Sequence, residues 1–435
     1  MSLESRLLAA LAPWRDAPAW RLAFSGGLDS TVLLHLLVRL AQHHALPPLT
    51  VLHVHHGLQR VADGWPEHCR QVCARLGVPL DIRRVRVETG ASLERAAREA
   101  RYRTFADVLG EGELLLTAQH RDDQAETLLF RLLRGAGVRG LAAMPDVRRL
   151  GRGWLARPLL EVSRSELEQY AVSQGLHWVE DPSNRDLHFS RNFLRHRMLP
   201  LLAERWPQAV RSMARSAAHM AEAQELLDDL ARLDLAAAEG EGDFAWLGLP
   251  SLARVPLLGL SPARQRNALR HWLGSFTALP DTAHWAGWEA LRDAAADASP
   301  VWRLASGELH RASGRIWWLA EDWLRPPVGP LSWSRPAEPL MLPGNGCLRL
   351  QGRAPDGPLE VRYRRGGETL TVPGRGHRDL KRLLNERGLP AFARGRLPLL
   401  YRGGELLAVA ALPGLDGPVE GTWRLLWRPP GNVEV

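Results

Sequence analysis

Through the first 200 positions the chain alternates two hydrophobic rhythms. Short apolar runs at 21–25, 49–55, 80–87 and 113–118 read as strands. Between them, apolar residues recur at helical spacing over 29–43, 61–76, 93–109 and 122–134. Strand and helix in strict turn predict an α/β domain, a mostly parallel sheet with helices on both faces. Ligands of such sheets bind beyond the carboxyl ends of the strands. Ser25, His55 and Thr117 all fall at such ends.

Past Arg195 the pattern changes. One long helical stretch, about 198–239, leads through an acidic EGEGD patch to a middle segment at about 245–325. That segment contains the basic helical string SPARQRNALRHWL and a tryptophan-rich end at 317–323. The string PPVGPLSWSRPAEPLMLPG reads as a Pro/Gly-rich linker. Short strands and one helix, LKRLLNERG at 380–388, make up a last segment at about 355–430. The expected organisation is therefore a catalytic domain at 1–215, a helical middle domain at 216–335 and a small mixed α+β domain at 350–435.

At 435 residues the chain is long enough for two or three cores. No run of eighteen uncharged apolar residues occurs, so no membrane span is expected. The N-terminus mixes acids and bases into its apolar stretch and reads as an amphipathic helix, not a signal peptide. Three cysteines, Cys69, Cys73 and Cys347, give no disulfide or zinc framework and fit a reducing cytoplasm. The formal charge of +8 permits a nucleic-acid partner. Its basic side is almost all arginine, with the single lysine at Lys381. Guanidinium forks suit phosphates and stack on exposed bases.

The candidate chemistry begins at Ser25-Gly26-Gly27-Leu28-Asp29-Ser30, which follows a strand and opens a helix. Glycine backbone and a helix start form an anion cradle. No lysine stands where a Walker loop needs one, so the pyrophosphate end of a nucleotide fits better, with Asp29 as a carboxylate for Mg²⁺. Further on, TAQHRDDQAET places Asp122, Asp123 and Glu126 at a helix start, close enough to share a face. Such a trio wants a cation, Mg²⁺ or an ammonium group, or it is an exposed capping cluster. In SLERAAREARY, Ser92 can cap a helix on which Glu94, Arg98 and Arg101 line up. That line holds phosphate or is a salt-bridged solvated face. His53 and His55 fall on one side of a strand and suit the wall of a nucleotide or base pocket better than zinc. The string WVEDPSNRDLHFSRN, with Asn184, Arg185, Arg191, Asn192 and then Arg195, gathers polar donors beside an aromatic, as an RNA-facing loop would.

Taken together, SGGLDS at 25–30, HVHHGLQ at 53–59, SLERAAREARY at 92–102, TAQHRDDQAET at 117–127, RGAGVRGLAAM at 134–144, RPLL at 157–160 and EDPSNRDLHFSRNFLR at 180–195 resemble the tRNA(Ile)-lysidine synthetase family of PP-loop (N-type) ATP pyrophosphatases. The segment at 261–273 resembles that family's middle tRNA-binding domain, and 376–401 its C-terminal domain. Two departures stand out. His55 and Gln59 replace an asparagine and an arginine of the second motif, and Gln119 replaces the first of two histidines in the fourth, leaving His120.

The resemblance implies a two-step ligase. ATP adenylates C2 of the wobble cytidine of an isoleucine tRNA with a CAU anticodon, and pyrophosphate leaves. The ε-amine of free L-lysine then displaces AMP and forms lysidine, which changes decoding from AUG to AUA. It implies ATP contacts from Ser25 to Ser30 with His55 and His120, and Mg²⁺ at Asp29 and Asp123. The catalytic set would be Asp29, Arg98, Arg101, Asp122, Asp123 and Glu126, with Arg98 or Arg101 balancing the adenylate phosphate. Beyond the first domain, Arg264, Arg266 and Arg270, and then Arg375, His377, Arg378, Lys381 and Arg382, are expected on the tRNA surface. A homodimer stays open. Two rival readings are a tRNA thiolase, which needs a reactive cysteine or an iron–sulfur site, and a non-catalytic RNA-binding protein, which has no use for Asp29 beside the 122–126 acids.

Overall fold

The structure, a computed structural model, describes residues 2–57, 60–87, 93–279, 283–295, 297–372, 376–418 and 421–431. Ser92, Gln59 and Arg375 lie outside the described residues, as does the side chain of Glu94. The chain divides into two compact units, Met1–Glu225 and Leu226–Val435.

The first unit is built on a six-stranded sheet of β1 (Trp20–Ala23), β2 (Leu49–His55), β3 (Leu80–Arg84), β4 (Leu114–Leu116), β5 (Val147–Leu150) and β6 (Gly153–Ala156). Their order is β3-β2-β1-β4-β6-β5, parallel except for the β5–β6 hairpin. Around it lie α1 (Leu3–Leu11), α2 (Leu28–His43), α3 (Trp65–Leu76), α4 (Leu93–Val108), α5 (Arg121–Leu132), the one-turn α6 (Val138–Leu141) and α7 (Arg164–Ser173). Strand alternation feeds two cores. Leu22, Val51, Leu114 and Leu116 pack with residues of α1, α2, α3 and α7 on one face. Leu52, Val54, Leu115 and Leu155 pack with Phe105 and Leu109 on the other. Burial on both faces is why these strands read as nearly continuous apolar runs. The chain runs β1, β2, β3 outward on one side and resumes with β4 on the other side of β1. The β1/β4 junction is therefore a topological switch point, where open sheets leave a ligand crevice.

Two expectations change here. The single helix expected at 198–239 is two, α9 (Leu199–Arg205) and α10 (Ala209–Ala236), after the short α8 (Ser190–Phe193). Trp206 precedes Pro207 and takes φ −127°, ψ 85°, away from the helical region that a following proline disfavours. The β5–β6 hairpin and α7 carry no counterpart in the periodicity reading.

In the second unit, α11 (Arg254–Leu258), α12 (Pro262–Leu273) and α13 (Ala286–Asp293) supply the helices expected of the middle segment. An antiparallel sheet, β7 (Ser251–Ala253), β10 (Arg315–Leu319), β9 (Gly307–Ala312) and β8 (Val301–Leu304), adds to them. On β10, consecutive tryptophans serve different cores. Trp318 packs with Trp272, Trp285, Trp288 and Trp302. Trp317 joins Trp323, Trp333, Leu348 and Trp427. The middle and last segments thus share a core. The Pro/Gly-rich stretch is no free linker: β11 (Leu331–Trp333) pairs with β14 (Leu359–Arg362), and β12 (Leu340–Met341) with β13 (Cys347–Gly352). Trp333, buried among the others, draws it in. The remaining elements are β15 (Thr369–Val372), β16 (Gly376–Asp379), α14 (Leu380–Glu386), α15 (Ala391–Arg394), β17 (Leu399–Arg402), β18 (Glu405–Val409) and β19 (Trp423–Arg428).

Candidate active site

The turn from β1 to α2 makes the anion cradle. Gly26 has φ +81°, the left-handed region that glycine tolerates. A Cβ there would stand 3.2 Å from Val179 Cγ2 and 3.3 Å from Cys69 Sγ. The Val179 N–H donates to the Gly26 carbonyl at 2.9 Å, tying the 178–195 segment to the loop. The Ser25 and Ser30 hydroxyls are 3.1 Å apart, and Ser30 and Thr31 each donate to the Gly27 carbonyl at 3.0 Å. Gly27 starts α2 without a side-chain cap. The N–H groups of the first turn are left for an anion.

Beside this turn opens a cleft of about 600 Å³. Ser25, Gly27, Leu28, Asp29 and Ser30 form one side of it. His53, Val54 and His56 come from the end of β2, and Arg98, Arg101 and Tyr102 from α4. Thr117, Gln119 and Asp123 follow β4, while Glu180, Asp181, Asn184, Arg185, Arg191 and Arg195 close it from the later segment. Gln119 accepts the Thr117 hydroxyl at 2.5 Å.

On the acidic side, Asp29 Oδ2 stands 3.5 Å from Arg164 Nη1 and 3.7 Å from His120 Nε2. Its Oδ1 is buried with no hydrogen-bond partner among the described residues. Burial pushes the Asp29 carboxyl up, against the pull of His120 and Arg164. An orphaned carboxylate oxygen at a phosphate cradle fits Mg²⁺, which binds through one or two carboxylates, phosphates and water. Among the described residues no cluster of three or more His, Cys, Asp or Glu is placed to hold a metal by protein ligands alone.

The acidic trio is not the open cluster its spacing suggests. Glu126 is 1% exposed and gripped by Arg195, with Nε at 2.5 Å from Oε1 and Nη2 at 3.0 Å from Oε2. Asp123 receives Arg195 Nη2 at 2.7 Å and the His120 N–H at 3.1 Å. Asp122 accepts the Arg164 N–H at 2.9 Å, at the start of α7. Of the three, Asp123 lines the cleft. Burial raises the Glu126 carboxyl and Arg195 opposes it, while its acids hold Arg195 firmly charged.

The two histidines expected on the nucleotide fall elsewhere. His120 is fully buried behind Asp29, with neither ring nitrogen hydrogen-bonded. His55 is not a cleft residue; its Nε2 lies 3.4 Å from Asp63. β2 ends at His55, and the turn that follows carries His56 into the cleft instead. His53 holds the Phe24 carbonyl through Nδ1 at 2.8 Å, and burial lowers the pKa of both His53 and His56.

On the opposite side Arg185 pairs with Glu180 at 3.0 Å, but among the described residues Arg98 and Arg101 make no ion pair with a carboxylate. Arg101 feels Tyr102, Arg98 and Arg191, none of them a carboxylate, and burial first, then those arginines, lower its pKa. Asn192 is structural: its Nδ2 donates to the carbonyls of Ser183 at 2.7 Å and Asp186 at 2.9 Å.

Residues 1–202 match the PP-loop domain family, 252–317 the TilS substrate binding domain and 359–427 the TilS substrate C-terminal domain. A tRNA(Ile)-lysidine synthase from Pseudomonas aeruginosa is 65% identical over 99% of this chain and 98% of its own. The chain belongs to the tRNA(Ile)-lysidine synthase family. Further members from Pseudomonas syringae pv. tomato, at 64% identity over 98% of this chain and 96% of theirs, and from Pseudomonas fluorescens, at 62% over 99% and 97%, agree.

Within that family frame, the residues expected on tRNA in the second unit divide by what holds them. Arg264 is engaged by the buried Asp234, and Arg382 by Glu386 at 3.1 Å. Arg270 lies over the Trp285 ring at 5.0 Å, and Arg266 is half-buried. His377 and Arg378 lie exposed on β16 and Lys381 on α14, so Arg378 belongs to a hairpin, not to the helix. Cys69 and Cys73 are buried, and burial pushes their thiols up to about 12 and about 11. Such thiols are poor nucleophiles, which counts against thiolase chemistry. No described helix is long and apolar enough to cross a membrane.

Arg164 is one cleft residue to which motif reading gave no role. Its signal is Ser163-Arg164-Ser165-Glu166, a capping box that marks the start of α7.

Proposed function

We propose that the cleft of the first unit is where this family's reaction takes place and that the second unit holds the rest of the tRNA. The activity is ATP-dependent lysidine formation at the wobble cytidine of the CAU isoleucine tRNA. The observation that carries the residue assignment is the cradle at Ser25–Ser30 facing an arginine wall across one cleft.

In the first step the cytidine O2 attacks the α-phosphate of ATP, and the bond to the departing pyrophosphate breaks. The first-turn N–H groups of α2 and the Ser25 and Ser30 hydroxyls stabilise the charge that moves onto the pyrophosphate. Asp29, with Asp123 beside it, would hold Mg²⁺, which when bound offsets phosphate charge. Arg98 and Arg101 balance the phosphoryl group that stays on the base. In the second step the lysine ε-amine bonds to C2, the C2–O bond breaks, and AMP leaves with that oxygen. Asp123 and Arg195 form adjacent opposite charges at the cleft, complementary to the ammonium and carboxylate of free lysine. A carboxylate there takes the proton the amine must shed. The cytidine has to leave the anticodon stack to arrive.

The test supplies purified protein with ATP, Mg²⁺, labelled lysine and total bacterial tRNA. Label should enter one minor isoleucine tRNA and depend on ATP. ATP turnover without label in any tRNA would refute the reading.

A further inference from the structure

The basic wall contains a tyrosine that none of the motif reasoning uses. Tyr102 lines the cleft. The Arg98 guanidinium lies 4.9 Å from its ring centroid, and Arg98 Nη2 donates to its hydroxyl at 3.4 Å. Arg148 lies 5.1 Å from the same centroid. Arg157, itself buried, acts electrostatically on the phenol and donates to the Pro145 carbonyl at 2.6 Å. Phe105 meets the ring edge-on at 5.7 Å and fixes its plane. The groups facing the phenol are thus Arg98 and Arg101 from α4, Arg148 from β5 and Arg157 just beyond β6.

Several other arginines of this unit are held by a carboxylate, Arg21 by Glu113 at 2.7 Å, Arg6 by Glu166 at 2.7 Å and Arg195 by Glu126, while Arg131 is held by the Gly140 and Ala143 carbonyls. A carboxylate fixes the guanidinium but cancels its charge. A phenol oxygen and an aromatic face fix it and leave the charge whole. Resting on the reading of the cleft given above, we propose that Tyr102 is a positioning residue, holding Arg98 as a neutral partner so that the wall stays positive for a substrate phosphate. That phosphate belongs to ATP or to the tRNA backbone.

The chemistry also makes the wall sensitive to alkali. Burial opposes ionisation of the phenol, but Arg98, Arg157 and Arg101 outweigh it and pull its pKa below the usual tyrosine range. Ionisation would place a negative charge among the arginines and cancel one of them. Phosphate binding should therefore weaken as pH rises, through Tyr102.

The experiment measures equilibrium binding of ATP and, separately, of CAU isoleucine tRNA to the full-length wild type, Tyr102→Phe and Tyr102→Leu, from neutral pH up toward about 10, where free tyrosine titrates. Thermal unfolding is recorded alongside. For at least one ligand, Tyr102→Phe should weaken binding about tenfold at neutral pH, as loss of a hydrogen bond to a charged group does. It should also flatten the alkaline decline seen in wild type, with Tm unchanged. Tyr102→Leu, which loses the ring as well, should bind more weakly still. Wild-type affinities and the same alkaline decline in Tyr102→Phe would overturn the proposal. So would a fall in Tm with both affinities intact, since Tyr102 would then only fill space. Lysine transfer by wild type, scored separately, decides the functional reading and does not enter these comparisons.

Discussion

The two sides of the cleft are charged in opposite ways and, more to the point, balanced in opposite ways. On the acidic side nearly every group has a partner: Glu126 and Asp123 with Arg195, Asp122 with the Arg164 backbone. On the basic side, among the described residues, Arg98 and Arg101 face a phenol and other arginines. Matched buried charges hold a scaffold in place. Unmatched ones carry an electrostatic cost in the free protein that a bound anion removes. Among the acidic side's carboxylates the exception is Asp29 Oδ1, with no hydrogen-bond partner among the described residues, and it sits at the cradle. On the proposed reading, imbalance marks where substrate phosphate belongs, whereas the matched Asp123–Arg195 pair meets the two charges of free lysine.

Breaking the imbalance at the cradle should have the largest effect on the reaction. Asp29→Asn should cut tRNA-dependent ATP–pyrophosphate exchange about 10²- to 10³-fold, as loss of one transition-state electrostatic contact does. Binding of tRNA should hardly change. Near wild-type exchange would remove Asp29 from the chemistry.

Breaking the balance should act on folding as well as on lysine transfer. Arg195→Ala leaves the buried Glu126 carboxylate alone and should cost about 3–5 kcal/mol of stability. Urea unfolding reads this. A double variant, Arg195→Met with Glu126→Leu, should recover part of the loss, because it removes the deeply buried unpaired carboxylate and leaves only the more accessible Asp123 without its arginine. If the single variant unfolds like wild type, the ion pair is not what stabilises this side.

Away from the cleft, Arg378→Glu with Lys381→Glu should weaken tRNA binding and leave ATP binding unchanged. The log–log salt slope should drop by about 2, one counterion or so per lost contact. An unchanged slope would take this exposed pair off the RNA surface.

The smallest expected effect concerns Glu166, which caps α7 and meets Arg6. Burial works against its ionisation, yet hydrogen bonds from Ser163 and Arg6 lower its pKa to about 2. Its folded value lies below the unfolded one, so the stabilisation is full above the ordinary glutamate value of 4.5 and is lost as pH falls toward about 2. The side chain is about one-third exposed, so Glu166→Gln should cost only about 1 kcal/mol at neutral pH. It should also flatten the acid limb of the Tm–pH curve.

The same contrast explains what was legible in the sequence. The doubly buried strands and the glycine turn follow from local pattern, and β1 to β4 with α2 to α5 lie within a few residues of where periodicity puts them. The cradle is legible because Gly26 and Ser30 do their work within one turn of each other. The state of the acids is not, because Glu126 is decided by Arg195, 69 positions away. Likewise the fate of His55 and His56 depends on where β2 stops, a matter of one residue. In the second unit, short strands with tryptophans serving two cores leave no clean period. The β7–β10 sheet and the ordering of the proline-rich stretch around Trp333 were invisible for that reason.

The claim that unmatched charge marks where substrate phosphate belongs is tested most directly by Arg101→Gln, followed by thermal unfolding and tRNA-dependent ATP–pyrophosphate exchange on the same preparation. Relief of repulsion from Arg98 and Arg191 should leave Tm equal to or above that of wild type, while exchange falls at least about a hundredfold. A Tm lowered by several degrees with exchange intact would contradict the account, for Arg101 would then be part of the scaffold.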